Sequence, residues 1–187
     1  MIETLNVTDH FLIAMPGMGD PNFHRTVTYM CQHSAEGALG IVINRPTDLT
    51  LGDIFQQMSI GVEDERVART PIYYGGPVQP ERGFVIHQPK GNWDSSLKVS
   101  DLIALTTSRD ILDAIAHGEG PRRFMVALGY AGWGQGQLER EMVQNAWLNS
   151  PAKDQILFEL PADQRWKSAA RQMGIDIDRL SSTAGHG

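Results

Sequence analysis

Apolar positions fall along this chain in short runs, many alternating with a period of two and divided by glycine and proline. The pattern predicts strands interrupted by a few helices. Residues 10–16 (HFLIAMP) form an apolar run ended by proline. Residues 25–33 (RTVTYMCQH) alternate, with Val27, Tyr29, Cys31 and His33 on one face and Thr26, Thr28, Met30 and Gln32 on the other. Turn residues 34–37 and the β-branched run 38–46 follow, predicting a hairpin with a four-residue loop. Residues 71–77 and 82–89 predict two strands joined through Gly75-Gly76-Pro77, and residues 97–107 a further strand. Residues 124–128 (FMVAL) are apolar without alternation, so that strand needs both faces covered. Residues 154–160 (DQILFEL) predict a last strand.

Helical spacing appears at four places. Leu51, Ile54, Phe55 and Met58 make one stripe behind Thr50 as N-cap. Ile111, Leu112 and Ile115 turn inward behind Ser108, and Gly118 stops that helix. After the glycines at 129–136, Leu138, Met142, Val143, Ala146 and Trp147 face inward, Glu139 and Glu141 sit in the first turns, and Pro151 closes the helix. Pro161 and Gly174 bound a last helix, with a loose tail over 175–187. Residues 61–70 read as a charged connection. Hairpins mixed with helices, without a regular βαβ repeat, predict an α+β class and one domain over 1–187.

Composition narrows the classes of function. The chain has 187 residues, 41% hydrophobic and 20% charged, as in ordinary globular domains. No apolar run reaches the ~20 residues of a membrane span. Glu3 and Asp9 stand where a signal peptide would be basic. A single cysteine, Cys31, suits a reducing cytoplasm. The net charge is −6, and Arg122-Arg123 is the only adjacent basic pair. That balance disfavours direct contact with nucleic acid, and no membrane contact is expected.

The stretch 122–148 joins an apolar strand to a helix through Gly129, Gly132, Gly134 and Gly136. Phosphate-binding loops share that layout. A Walker loop requires Gly-Lys-Ser/Thr, where this chain has Gly136-Gln137-Leu138, and the spacing is not G-x-G-x-x-G. No nucleotide cofactor is therefore expected. One or two glycines suffice for a sharp turn. The surplus, with Tyr130 and Trp133 read as exposed, marks the loop as the first candidate for binding a ligand or partner.

Other constellations have a functional and an architectural reading. Cys31-x-His33, with His24 and His87 as further imidazoles, has a spacing open to metal, but structural zinc sites carry more cysteines, and no metal is expected. Arg45, in Asn44-Arg45-Pro46, could clamp an anion or pair with one of the acids. His87 suits a general base or a hydrogen-bonded strand residue. Neither G-x-S-x-G nor H-E-x-x-H occurs.

Four segments together carry a resemblance: FLIAMPGMGDPNFHRTVTYMCQHSAEGALGIVINRP, YYGGPVQPERGFVIH, ALGYAGWGQGQLEREMVQNAWL and LSSTAGHG. The chain resembles the bacterial YqgE/AlgH family from about Asp9 onward. The resemblance implies a sheet curled into a partial barrel with flanking helices. It also implies an association with regulation of alginate production and the label of transcriptional regulator, but no catalytic residues. It carries over motif positions: Asp20 and Arg25, Asn44 and Arg45, Gly76 and Pro77, and Gly129, Tyr130, Gly132, Trp133, Gly134 and Gly136, with His87 added from its chemistry. The expectation is a cytoplasmic, cofactor-free regulatory domain, a monomer or weak homodimer, binding a protein or small molecule without direct DNA contact. The alternative is an enzyme, such as a hydrolase, with Arg25, Arg45, His87 and Glu139 gathered near Gly134.

Overall fold

The computed structural model describes residues 6–184; Glu3 and residues 185–187 at the end of the tail lie outside them. In chain order the strands are β1 (His10–Ala14), β2 (Val27–Ser34), β3 (Gly37–Val42), β4 (Pro46–Thr50), β5 (Pro71–Tyr74), β6 (Val78–Gln88), β7 (Ser96–Lys98), β8 (Ala104–Thr106), β9 (Arg123–Trp133) and β10 (Trp147–Pro151). The helices are α1 (Leu51–Gln57), α2 (Glu65–Ala68), α3 (Arg109–Ala116), α4 (Gln137–Val143), α5 (Ala162–Arg171) and α6 (Ile177–Ala184), with a π-helical turn at Gln155–Glu159.

The sheet runs β10-β1-β2-β3-β9-β6-β8-β7, with β4 and β5 attached beside that path. β9 organises it. One edge of β9 carries β5 in parallel (Ile72 opposite Val126) and then β3 antiparallel (Ala38 opposite Trp133). The other edge carries β6 antiparallel, from Gln88 opposite Arg123 to Val78 opposite Tyr130. Residues 124–128 thus need both faces covered, as their unbroken apolar run predicts.

One face holds a single core that reaches from Phe11 on β1, through Tyr29, Ile41 and Phe84, to Leu105 on β8. Trp166, Ala169 and Ala170 of α5, with Ile156 and Leu157 of the π turn, fill it. The opposite face is split. Leu51 and Phe55 of α1 with Ile111 and Ile115 of α3 cover Ile72, Val85 and Val126, while Leu138 of α4 covers Leu12, Met30, Ala131 and Trp133. A face on which strands from both ends of the path share one core is the concave side of a curled sheet. The fold is a single α+β domain built on a half-barrel.

Local signals hold where chemistry within a few residues decides. Thr50 caps α1 in a capping box: its hydroxyl accepts from Asp53 N, and the Asp53 carboxylate accepts from Thr50 N. Gly118 ends α3 with φ +76°.

Elsewhere the structure corrects the reading. Ser34 pairs with Gly37, so the first hairpin has a two-residue loop. The strands around Gly75-Gly76-Pro77 do not pair with each other, because both dock on β9. Residues 97–107 split into β7 and β8. The charged connection contains α2, capped by Asp64. Ser108 precedes α3, but its hydroxyl donates to Asp110 instead of accepting from the helix. Val143 is exposed, and α4 ends there, so Trp147 and Pro151 belong to β10. Residues 155–159 coil because Ile156 and Leu157 are both buried on one side, which a strand cannot arrange for adjacent residues. Ile177 is buried and opens α6 within the stretch read as a loose tail.

Candidate functional site

The glycines are explained by backbone contact. Gly129 and Gly132 lie inside β9, and only Gly134 and Gly136 belong to the turn before α4. Gly129 adopts φ +78° where the pairing with β6 jumps from Val78 to Gly83. A Cβ on Gly129 would stand 2.3 Å from the Gly76 carbonyl oxygen, and one on Gly76 only 2.1 Å from the Tyr130 carbonyl carbon. The Gly75-Gly76-Pro77 and Gly129 motifs are thus two halves of one contact, with Pro77 exposed beyond it. Gly136 has φ +71° at the start of α4. The Gly134 N–H donates to Gln137 Oε1 at 3.0 Å.

Trp133 is buried, contrary to the expectation of an exposed ring. It stacks on Phe23 (ring centroids 5.8 Å apart) and meets Trp147 edge-on at 6.1 Å. Glu141 Oε1 accepts from the indole N–H of Trp133 at 3.2 Å and of Trp147 at 3.0 Å, and its Oε2 accepts from Gln137. Glu139 accepts from His33 Nε2. The tautomer follows from Val7 N–H, which donates to His33 Nδ1 at 3.1 Å and leaves the ring proton on Nε2. Burial pushes the Glu139 carboxyl up, but the His33 hydrogen bond, a backbone hydrogen bond and the neighbouring His33 and Arg140 together outweigh it and hold the group below the usual carboxylate range. The two acids of α4 are therefore tethers to the sheet, a role that charge at a helix start does not announce.

His33 reaches Glu139 because of a bulge. The β2–β3 register shifts between Met30 and Gln32, which reverses the alternation. Cys31 stays in the concave core, whereas His33 turns to the face that α4 covers. The alternation read through residues 27–33 is corrected at its last residue, and the Cys31-x-His33 pair points to opposite sides. Burial pushes the Cys31 thiol up. Among the described residues, no three His, Cys, Asp or Glu side chains converge where a metal ion could sit.

The loop after β1 gathers four other candidates. Asp20 Oδ1 accepts from Asn22 N, and its carbonyl accepts from Phe23 and His24. Asn44 bridges Val27 N and the Arg25 carbonyl. Arg45 donates to the carbonyls of Asn22 (2.8 Å) and His24 (2.9 Å), partners that are neither an acid nor a ligand. Arg25, at φ +57°, lies over the Trp166 ring at 5.4 Å. These residues fasten the loop to the barrel.

His87 stands apart. It pairs with Phe124, ten residues before Gly134, roughly 30 Å along the strand. It is fully buried, and burial lowers its pKa. Its Nδ1 donates to the Pro89 carbonyl at 2.9 Å, so Nε2 accepts from Thr106, whose oxygen is 2.6 Å from Ser96 Oγ. The four polar groups that the sequence associates with Gly134 are not brought together.

Tyr130 and Gly132 do reach an open surface. On the concave side, beyond the part filled by α5, two recesses of about 480 and 380 Å³ adjoin and share Leu39 and Tyr130. Tyr130 meets Phe84 edge-on at 5.5 Å. Arg82 lies over that Phe84 ring at 5.6 Å and hydrogen-bonds Gln79 and Thr107. Gln32 and Glu36 border the opposite end. Sequence reasoning passed over Leu39, Phe84 and Arg82 as residues of this trough.

Comparison with known proteins places this architecture. A family model described as AlgH-like matches residues 11–178. A UPF0301 protein of Methylococcus capsulatus is 58% identical, over 97% of this chain and 96% of its own length. One of Thioalkalivibrio sulfidiphilus is 55% identical over the full length of both. The solution structure of the AlgH protein from Pseudomonas aeruginosa superposes with a TM-score of 0.80 at 44% identity, covering 97% of each chain. A Corynebacterium diphtheriae protein shares the fold at 18% identity, with a TM-score of 0.73 over 97% of this chain and 94% of that one. With the family model matching most of its length and relatives above 50% identity covering nearly all of it, the chain belongs to the AlgH-like family.

Proposed function

We propose that this protein is a cytoplasmic binding domain with a regulatory consequence, and that the trough on the concave side receives an extended peptide segment of a protein partner. The observation that carries this reading is the pairing of an aromatic floor, Tyr130 on Phe84, with the Arg82 guanidinium, which has no carboxylate partner among the described residues. Apolar floor and polar rim are the anatomy of a peptide groove. The cation selects a segment with an acidic residue next to an apolar one. Most polar residues singled out in the sequence are consumed in fastening loops, which favours binding over catalysis. A net charge of −6 opposes direct attachment to DNA, so regulation would proceed through the partner.

The test is affinity capture from extract with wild type, Tyr130→Ala and Arg82→Glu, followed by peptide-array mapping of what is captured. The expected result is a partner lost in both variants at unchanged urea midpoint, through an acidic segment. Identical captures from all three would overturn the proposal. Retention of duplex DNA at nanomolar protein and physiological salt would overturn its second half.

A further inference from the structure

A second cavity lies at the opposite end of β9. It measures about 320 Å³, at the small end of the roughly 300–1,000 Å³ typical of ligand sites, and is lined by Gln88, Pro89, Leu102, Arg122, Arg123 and Asp154. Gln88 ends β6 opposite Arg123. Its Nε2 donates to Asp154 Oδ2 at 3.2 Å, which fixes the amide orientation and leaves Oε1 buried with no partner. A buried acceptor without a donor is costly, on the order of 1–3 kcal/mol.

The charges around that oxygen are balanced but separated. Arg123 pairs with Glu159 at 3.1 Å. Arg122 is exposed and makes no hydrogen bond or ion pair among the described residues. Asp154 accepts only the Gln88 amide among the described residues. Two arginines offset Glu159 and Asp154, so the site is neutral overall. A simple anion or cation would disturb that balance; a molecule with both charges would not. Leu102, 59% exposed, supplies an apolar wall.

We propose that this cavity binds a small zwitterion of the α-amino acid class. The carboxylate lies on Arg122, the ammonium donates to Asp154, whose carboxylate the Gln88 amide holds in place, and an aliphatic side chain rests on Leu102. The exposed cation and the carboxylate of the cavity then each have a partner of matching chemistry.

The experiment uses the full chain and a mixture of the common amino acids, read by the side-chain amide signals of Gln88 in NMR. L-leucine, N-acetyl-L-leucine and L-leucine methyl ester are then titrated singly by calorimetry. Expected are shifted Gln88 signals, saturable millimolar or tighter binding of L-leucine, and at least tenfold weaker binding of both blocked forms. Arg122→Ala and Gln88→Leu should each weaken L-leucine binding about tenfold or more with circular dichroism unchanged. Unmoved Gln88 signals in the mixture, or equal binding of the blocked forms, would overturn the proposal. So would full affinity in both variants. These readouts do not involve Tyr130 or Arg82, so failure here leaves the trough untouched.

Discussion

Gly76 and Gly129 meet backbone to backbone, so that a single methyl group on Gly129 would fall within 2.3 Å of the Gly76 carbonyl oxygen. Gly129 also needs φ +78° and Gly76 φ +154°. Gly134 has neither constraint: its φ is not positive, and the nearest atom to an added Cβ is a flexible side-chain oxygen at 3.9 Å.

Gly76→Ala and Gly129→Ala should therefore each cost about 2–4 kcal/mol, while Gly134→Ala stays within about 0.5 kcal/mol. Urea unfolding of the three variants is the measurement. Equal costs at 129 and 134 would contradict the close-approach explanation.

Glu141 serves two indoles with one oxygen. Glu141→Leu strands the N–H groups of Trp133 and Trp147, each part of a half-buried network, and should cost about 1–3 kcal/mol per group. Glu141→Gln keeps one carbonyl acceptor and should cost less. Tryptophan fluorescence and near-UV circular dichroism report the loosened ring cluster, and the ranking Leu worse than Gln is the outcome to check.

His87 predicts a pH dependence. Burial lowers its pKa in the folded protein below that of the unfolded chain, about 6.5. Below that pH the unfolded state binds the proton more readily, so stability is full above about 6.5 and falls as the solution is acidified. The urea midpoint of wild type should decline through pH 6 and 5. In His87→Gln, whose amide can still meet Thr106, the midpoint should change less over that range. Parallel profiles would show that the acid loss originates elsewhere, for instance at Glu139 or Asp110, whose carboxyls also titrate below their usual range.

Arg165 is the buried cation of the core. Its guanidinium donates to the carbonyls of Ile43 (2.5 Å) and Leu160 (3.0 Å) and lies 5.0 Å over Tyr73. Arg165→Met should destabilise by roughly 2–4 kcal/mol, because two acceptors lose their donor. Arg165→Lys should recover little of this, since one ammonium cannot span both carbonyls as the planar fork does. Thermal unfolding of both variants tests it.

Local chemistry was legible in the chain wherever a few neighbouring residues decide the outcome. Thr50 with Asp53, the apolar run at 124–128, and the Gly118 stop all work within one turn or one strand. The site was legible only in outline. Tyr130 reaches the trough, but Trp133, two residues beyond Ala131 and so on the same strand face, turns into the aromatic cluster. The bulge at Cys31 could not be read from alternation, because an inserted residue changes the face of everything after it without altering composition.

The sequence alone carried the family resemblance, the α+β class, most of the strand-forming runs and the net acidic charge. These follow from composition, periodicity and motif order, which exist before the chain folds. Tertiary structure alone decided that two glycine motifs some fifty residues apart touch, that α4 is tethered by His33 and by two tryptophans, and that Tyr130, Phe84 and Arg82 share a trough. Each of these depends on which strands lie beside β9, and pairing between distant segments is set by the packing of the whole barrel.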